Sequence, residues 1–249
     1  MNGCARFKGA VIQRRPADVQ RAIGDAQKGC RELFSGDSWY FCARKRVLSG
    51  FVKRYLPFGS RALDVGCGDG WLAEALPCRE WHGVEPDPVL RERALTKGMR
   101  VVPSMADELP FPDGRFDAVC LFDVLEHLPG DGEAVQEARR VMKPRGLLFV
   151  SVPLHPELWS EHDEKCEHYR RYRKGEVKGI LEKSGFRLLE KRYFISLPLP
   201  FVWAMRKLRR GNPGELPGIL DRLAEAALVL DASLCLPFGL SEVSIYERV

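Results

Sequence analysis

Gly66, Gly68 and Gly70 stand at alternate positions, after the run Ala62-Leu63-Asp64-Val65 and before an apolar-periodic stretch at residues 71–76. Such a pattern reads as a strand turning through glycines into a helix. There the backbone can approach a ligand closely because no β-carbon intervenes, and the helix start offers unpaired N–H groups. The next strand-like run ends in Glu85, 15 residues after Gly70. A carboxylate at that place can accept both hydroxyls of a ribose, which is the geometry of a nucleoside site on a doubly wound sheet. The dinucleotide spacing G-x-G-x-x-G is not met, since the third glycine arrives one residue early, and a nicotinamide cofactor is the weaker reading. Three of the five histidines, His155, His162 and His168, fall in one aperiodic stretch, residues 153–174. Imidazole takes and returns a proton near neutral pH, so this stretch is the candidate source of a general base.

These groups must be positioned by strands and helices that alternate along the chain. The pattern predicts strands at 61–66, 81–85, 100–103, 116–121 and 147–152, with helices at 70–76, 88–97 and 131–143 between them. Alternation of this kind implies a parallel sheet covered on both faces, with the ligand crevice at the carboxyl ends of the strands. Two helices, at 16–34 and 38–56, precede the first strand. A helix at 175–183, strands at 186–194 and 241–246, and a helix at 219–230 follow the aperiodic stretch. We read a single domain over 1–249: cap helices at 1–59, a cofactor-binding core at 60–153, and an acceptor-side loop, lid and closing strands at 154–249.

The chain has 249 residues, 45% hydrophobic and 29% charged, which suits one sizeable α/β core. The eight cysteines form no C-x-x-C pair, and reduced thiols fit better than a disulfide framework. No long uncharged apolar run and no signal-peptide block stands out, so a soluble cytoplasmic protein is expected. The net charge of +5 permits anionic partners without requiring them. Its basic residues crowd at 170–174 and 206–210, patterns that are usually solvated faces.

Several stations in order resemble the class I S-adenosylmethionine-dependent methyltransferases: Leu63-Asp64-Val65-Gly66-Cys67-Gly68-Asp69-Gly70, Gly83-Val84-Glu85-Pro86, Glu108-Leu109-Pro110-Phe111, Phe116-Asp117-Ala118-Val119 and Leu125-Glu126-His127-Leu128. The resemblance implies a Rossmann-like, doubly wound, mostly parallel seven-stranded sheet with N-terminal helices and a C-terminal helical lid. It implies S-adenosylmethionine as cofactor, with Asp64, Gly66, Cys67, Gly68 and Gly70 around its amino-acid part and Glu85, followed by Pro86, at the ribose. In that family an Asp-Ala pair commonly precedes the Leu-Pro-Phe segment; here Met105 and Ala106 occupy those places. Either Met105 packs on the adenine while the Ala106 N–H reads its edge, or Asp107 reaches in. Leu121, Phe122 and Asp123 would floor the pocket near the reactive methyl.

Further strings, from Val152-Pro153-Leu154-His155 through His168-Tyr169-Arg170, with Trp39-Tyr40-Phe41, Arg44 and Arg46 upstream, resemble a bacterial small-molecule subgroup. Tyr40 or Arg44 is then expected near the cofactor carboxylate. His155, His162 and His168 are the candidate bases for a hydroxyl acceptor, or else they order the loop. Glu126-His127 is read as shaping the pocket. The spacing His162-x3-Cys166-x-His168 is compatible with a metal, with Asp163 or Glu167 as further ligands, but no second ligand cluster accompanies it and no metal is assigned.

The expected function is methyl transfer to a small-molecule acceptor, with oxygen as the acceptor atom. The Leu121-Phe122-Asp123-Val124 segment departs from the Pro-Pro-aromatic tetrapeptide of base-amine methylating enzymes. Alternatives are an RNA methyltransferase using the basic clusters and a non-catalytic S-adenosylmethionine-binding module. The apolar stretch 196–205 with Arg206, Lys207, Arg209 and Arg210 reads as a lid over the acceptor. Its alternative is a membrane-surface segment admitting a lipid-linked substrate.

Overall fold

The computed structural model describes residues 39–75, 80–197, 199, 230–231, 234 and 236–249, leaving aside the side chains of residues 39–41, 43 and 74. The expected helix at 16–34, the basic cluster at 206–210, most of the lid at 196–205 and nearly all of the helix at 219–230 lie outside the described residues. The elements in chain order are α1 (Trp39–Tyr55), β1 (Arg61–Val65), α2 (Trp71–Ala75), β2 (Glu80–Val84), α3 (Pro88–Thr96), β3 (Arg100–Val102), β4 (Phe116–Phe122), α4 (Asp131–Val141), β5 (Met142–Pro153), α5 (Glu161–Lys165), α6 (Glu176–Lys183), β6 (Phe186–Phe194) and β7 (Ser241–Arg248).

The seven strands form one sheet in the order β3-β2-β1-β4-β5-β7-β6. Pairing is parallel from β3 to β5, and β7 runs antiparallel to both β5 and β6. The expected mostly parallel seven-stranded α/β sheet is therefore present. Successive strands step outward from β1 to β3, and the chain then returns to the other side of β1 as β4. The reversal opens a crevice at the carboxyl ends of β1 and β4.

Central strands must be apolar on both faces because helices cover both sides. Ala118, Val119, Cys120 and Leu121 of β4 are all fully buried. Leu63, Val119 and Leu121 belong to one core layer, and Ala62, Ala118 and Cys120 belong to the other. Burying a side chain of Leu or Val size contributes about 1.5–3 kcal/mol. Helix α3 starts where Asp87 accepts from the Val89 and Leu90 N–H groups at 2.8 and 2.9 Å, with Pro88 in its first turn. Helix α4 stops at Val141, two residues short of the expected end, because Met142 is already extended and opens β5.

The largest local departure from expectation is in residues 153–174. They contain a 3-10 turn, Pro156–Leu158, and the short helix α5, started by a capping box between Ser160 and Asp163. Leu154 pairs with Tyr172 in a parallel bridge. The buried Tyr172 hydroxyl donates to Asp131 at 3.1 Å, so the stretch is closed at both ends and tied to α4.

Candidate active site

The turn after β1 lies against the end of β2. The N–H groups of Gly66 and Cys67 both donate to the Val84 carbonyl, at 2.8 and 3.1 Å. Gly66, Gly68 and Gly70 have φ of 68°, 56° and 78°, the left-handed region that only glycine enters without strain. At Gly66 there is a packing reason as well, since a β-carbon there would lie 2.9 Å from a Val124 methyl. That contact joins the glycine turn to the segment leaving β4 and marks where the two halves of the crevice meet.

Glu85 follows β2 directly and is buried. One carboxylate oxygen accepts from the Gly68 N–H at 2.9 Å and the other from the Asp87 N–H at 2.9 Å. The acid thus braces the glycine turn. Among the described residues nothing lies within 4 Å of the place a Gly68 β-carbon would occupy, so the crest of the turn faces open space. A backbone turn open at its crest, backed by a fixed carboxylate, fits a nucleoside carrying an amino-acid tail. Beyond it Ala106 is buried with Leu109 and Phe111, while Met105 and Asp107 are exposed. Asp107 is not turned into the core. Leu121 and Phe122 are buried at the end of β4.

Asp64 is buried inside β1, and loss of hydration together with the neighbouring Glu85 pushes its carboxyl up to about 8. A raised folded value means that the folded state holds the proton more tightly than the unfolded chain. The stabilisation from the neutral form is complete below the ordinary carboxylate range and is lost as the pH rises toward about 8. Asp64→Asn is expected to flatten this. Between pH 5 and 8 the wild-type melting temperature should fall several degrees further than that of the variant. Parallel slopes in thermal melts would count against it.

On the other side of the crevice Arg44 of α1 pairs with Asp123, and its guanidinium also donates to Ser151 at 3.2 Å. Ser151 in turn donates to Asp123 at 3.0 Å. Arg44, expected near the cofactor carboxylate, thus bonds the acid that directly follows β4. The side chain of Tyr40 lies outside the described residues.

The three loop histidines part company. The two ring nitrogens of His155 lie 3.1 Å from Glu157 and 3.0 Å from the Gly239 carbonyl, which ties the loop to the segment before β7. His162 lies 3.8 Å from the Cys166 sulfur, and its ring centre is 6.3 Å from that of His168. His168 places Nδ1 3.0 Å from Asp163 and packs edge-on against His127, ring centres 4.7 Å apart.

Asp163 is the hub of the loop and is fully buried. One oxygen takes Arg171 Nε at 2.7 Å and His168 Nδ1; the other takes the Ser160 N–H at 2.8 Å and hydroxyl at 3.0 Å. These donors hold its carboxyl well below the ordinary range despite burial. Glu126 sits in the 3-10 turn Leu125–His127 and is buried, with one carboxylate oxygen lacking a hydrogen-bond partner among the described residues. Burial and the nearby Asp123 push its carboxyl well up. Loss of hydration and the neighbouring His168 lower His127 to about 4, so its ring is neutral.

The sequence reading missed Asp163 as an organising group and the convergence of Glu126, His127 and His168. Ser160-x-x-Asp163 was the local signal for the first. Nothing local signals the second, because its members come from turns more than 40 residues apart.

A sheet in this order, with a glycine crevice at its reversal and an acid after the second strand, defines a Rossmann-like class I methyltransferase. A family model described as "Methyltransferase domain" matches residues 40–191, more than half of the chain. The chain therefore belongs to the methyltransferase-domain family, and S-adenosylmethionine is its cofactor. An uncharacterized methyltransferase of Mycobacterium sp. (strain KMS) is 37% identical over 119 residues, 45% of this chain and 46% of the relative. A ubiquinone biosynthesis O-methyltransferase of Xylella fastidiosa (strain 9a5c) is 34% identical over 112 residues, 41% of this chain and 46% of the relative. The chain thus spans about half the length of these curated relatives. The fold is also that of a Thermotoga maritima S-adenosylmethionine-dependent methyltransferase described as a possible histamine N-methyltransferase. The TM-score is 0.59 at 21% identity, covering 92% of this chain and 96% of that one. Among the described residues no helix is long and apolar enough to cross a membrane.

Proposed function

We propose that this chain transfers a methyl group to a hydroxyl oxygen of a small molecule. Bound S-adenosylmethionine supplies the electrophilic methyl. The glycine turn and Glu85 would hold it by backbone contact and by the ribose, and Leu121 and Phe122 would floor the pocket. Holding donor and acceptor in line is itself worth about 7–11 kcal/mol of barrier.

The observation that carries the oxygen reading is the Asp163–His168 pair. An oxygen acceptor must lose a proton, whereas much of the remaining catalysis needs positioning alone. Asp163 fixes one tautomer and orientation of the His168 ring, which packs on His127, three residues beyond the Val124 whose methyl faces the glycine turn. His168 is therefore the loop histidine we assign to the acceptor oxygen, with His162 adjacent and His155 as a structural tie. The name of the Xylella relative supports an oxygen acceptor.

The RNA alternative loses support from the first basic cluster. Arg171 is buried on Asp163, Arg170 bonds the Pro129 carbonyl and Asp131, and Lys174 bonds the Pro237 carbonyl. The test is transfer of labelled methyl from S-adenosylmethionine to a panel of phenols and hydroxy acids, with total RNA in parallel. Label is expected in small products carrying a methyl ether or ester. Label confined to RNA, or no transfer alongside normal cofactor binding, would defeat the reading.

A further inference from the structure

Glu126, His127 and His168 bring one carboxylate oxygen and two ring nitrogens within 4.8 Å of one another. Two of the three come from the turn after β4, and the third arrives from the far end of the 153–174 stretch. The two segments are bonded where they meet, the Tyr169 N–H donating to the Glu126 carbonyl at 2.7 Å.

Each member has the features of a ligand. Glu126 is 1% exposed, and among the described residues one of its oxygens has no hydrogen-bond partner, a costly state for a buried carboxylate. His127 packs edge-on against His168, ring centres 4.7 Å apart, which brings the two imidazoles together. His168 has Nδ1 on the buried Asp163, the carboxylate–histidine relation that orients a metal-binding imidazole. The backbone on both sides is held in an uncommon form: Asp123 and Glu167 have φ of 55° and 50°. Non-glycine residues there persist only where the surrounding structure compels them.

The geometry points to a divalent-cation site formed by Glu126, His127 and His168. Two imidazoles and one carboxylate suit a borderline cation such as Zn2+ and leave at least one coordination position open. The triad differs from the set suggested by spacing alone. His162 and Cys166 turn toward each other, and Asp163 is occupied by Arg171, His168 and Ser160.

The consequence for chemistry rests on the oxygen-acceptor reading above. An acceptor hydroxyl entering the open position replaces a water and binds the cation through oxygen. Its O–H bond then breaks, the electron pair stays on the oxygen, and the proton passes to the half-buried His162 imidazole. The cation does for the hydroxyl what it does for bound water, lowering its pKa toward neutrality. With Nδ1 on Asp163 and its other nitrogen on the cation, His168 acts on the acceptor oxygen through the metal, and His162 takes the proton in its place.

The test uses the full chain passed over a chelating resin. Zn2+ uptake is measured by elemental analysis and calorimetry, and Co2+ is used as a visible-absorption probe. We expect about one equivalent of Zn2+, Co2+ bands that Zn2+ displaces, and affinity at least tenfold weaker in Glu126→Gln and His168→Asn. Glu126→Gln keeps the volume and shape of the side chain, so it should melt near the wild type and serve as the folded control. Substoichiometric uptake by the wild type, or equal affinity in both variants, would overturn the site. Methyl transfer is assayed on the same samples. A metal-free protein methylating hydroxyls at full rate overturns the catalytic role and leaves the oxygen reading standing. Stoichiometric metal binding without methylation of any hydroxyl defeats that reading and leaves the site.

Discussion

Glu85→Ala should weaken S-adenosylmethionine binding about a hundredfold. Hydrogen bonds to a charged group contribute about 1.5–3 kcal/mol each, and in this reading the carboxylate would accept from both ribose hydroxyls. The same side chain braces the cradle through the Gly68 and Asp87 N–H groups. Alanine would leave those donors without their acceptor as well, so the loss should not be less than that of the ribose contacts. Calorimetric titration of both proteins, with melting curves alongside, separates a lost contact from a lost fold. Glu85→Gln, which keeps an acceptor oxygen but no charge, should fall between them. Binding by the alanine variant within about threefold of the wild type would remove Glu85 from the ribose, since a single charge-assisted bond is worth more than that.

The largest effect on stability is expected at Asp163. Taking away one partner of a buried ion pair leaves an uncompensated charge and costs about 3–5 kcal/mol. Arg171 is that charge here, 6% exposed and held otherwise by the Leu154 carbonyl. The Ser160 capping bonds would go with it. For a chain of this size about 2–4 °C accompanies each kcal/mol, so Asp163→Ala should melt roughly 6–20 °C below the wild type. Adding Arg171→Leu should recover part of the loss, because the orphaned charge is then gone and the two effects do not add. A single variant that melts within about 1 °C of the wild type would mean that the pair is not buried in solution, since a charge stranded in the interior would cost more.

These two acids were not equally legible. Glu85 announces itself from its place after a strand and its distance from the glycine turn. Asp163 sits among charged residues in a stretch without a period, where composition suggests a solvated loop. Arg171 reads as one member of a basic run, yet it is among the buried charges of the protein. A one-dimensional charge count cannot tell a solvated arginine from one whose partner arrives eight residues away across a turn.

By itself the sequence determined the order of strands and helices, the glycine turn, the acid beyond β2 and hence the crevice between β1 and β4. Each of those follows from local periodicity, from the freedom that glycine alone has at positive φ, and from the rule that parallel strands need crossovers. Only the tertiary structure decided which groups face one another across that crevice. It paired Arg44 with Asp123, made Asp163 the hub of the 153–174 stretch, and brought His168 onto Glu126 and His127. Such meetings depend on where two distant turns end up once the sheet is assembled. That placement is set by the packing of the whole core and has no period for a sequence to display.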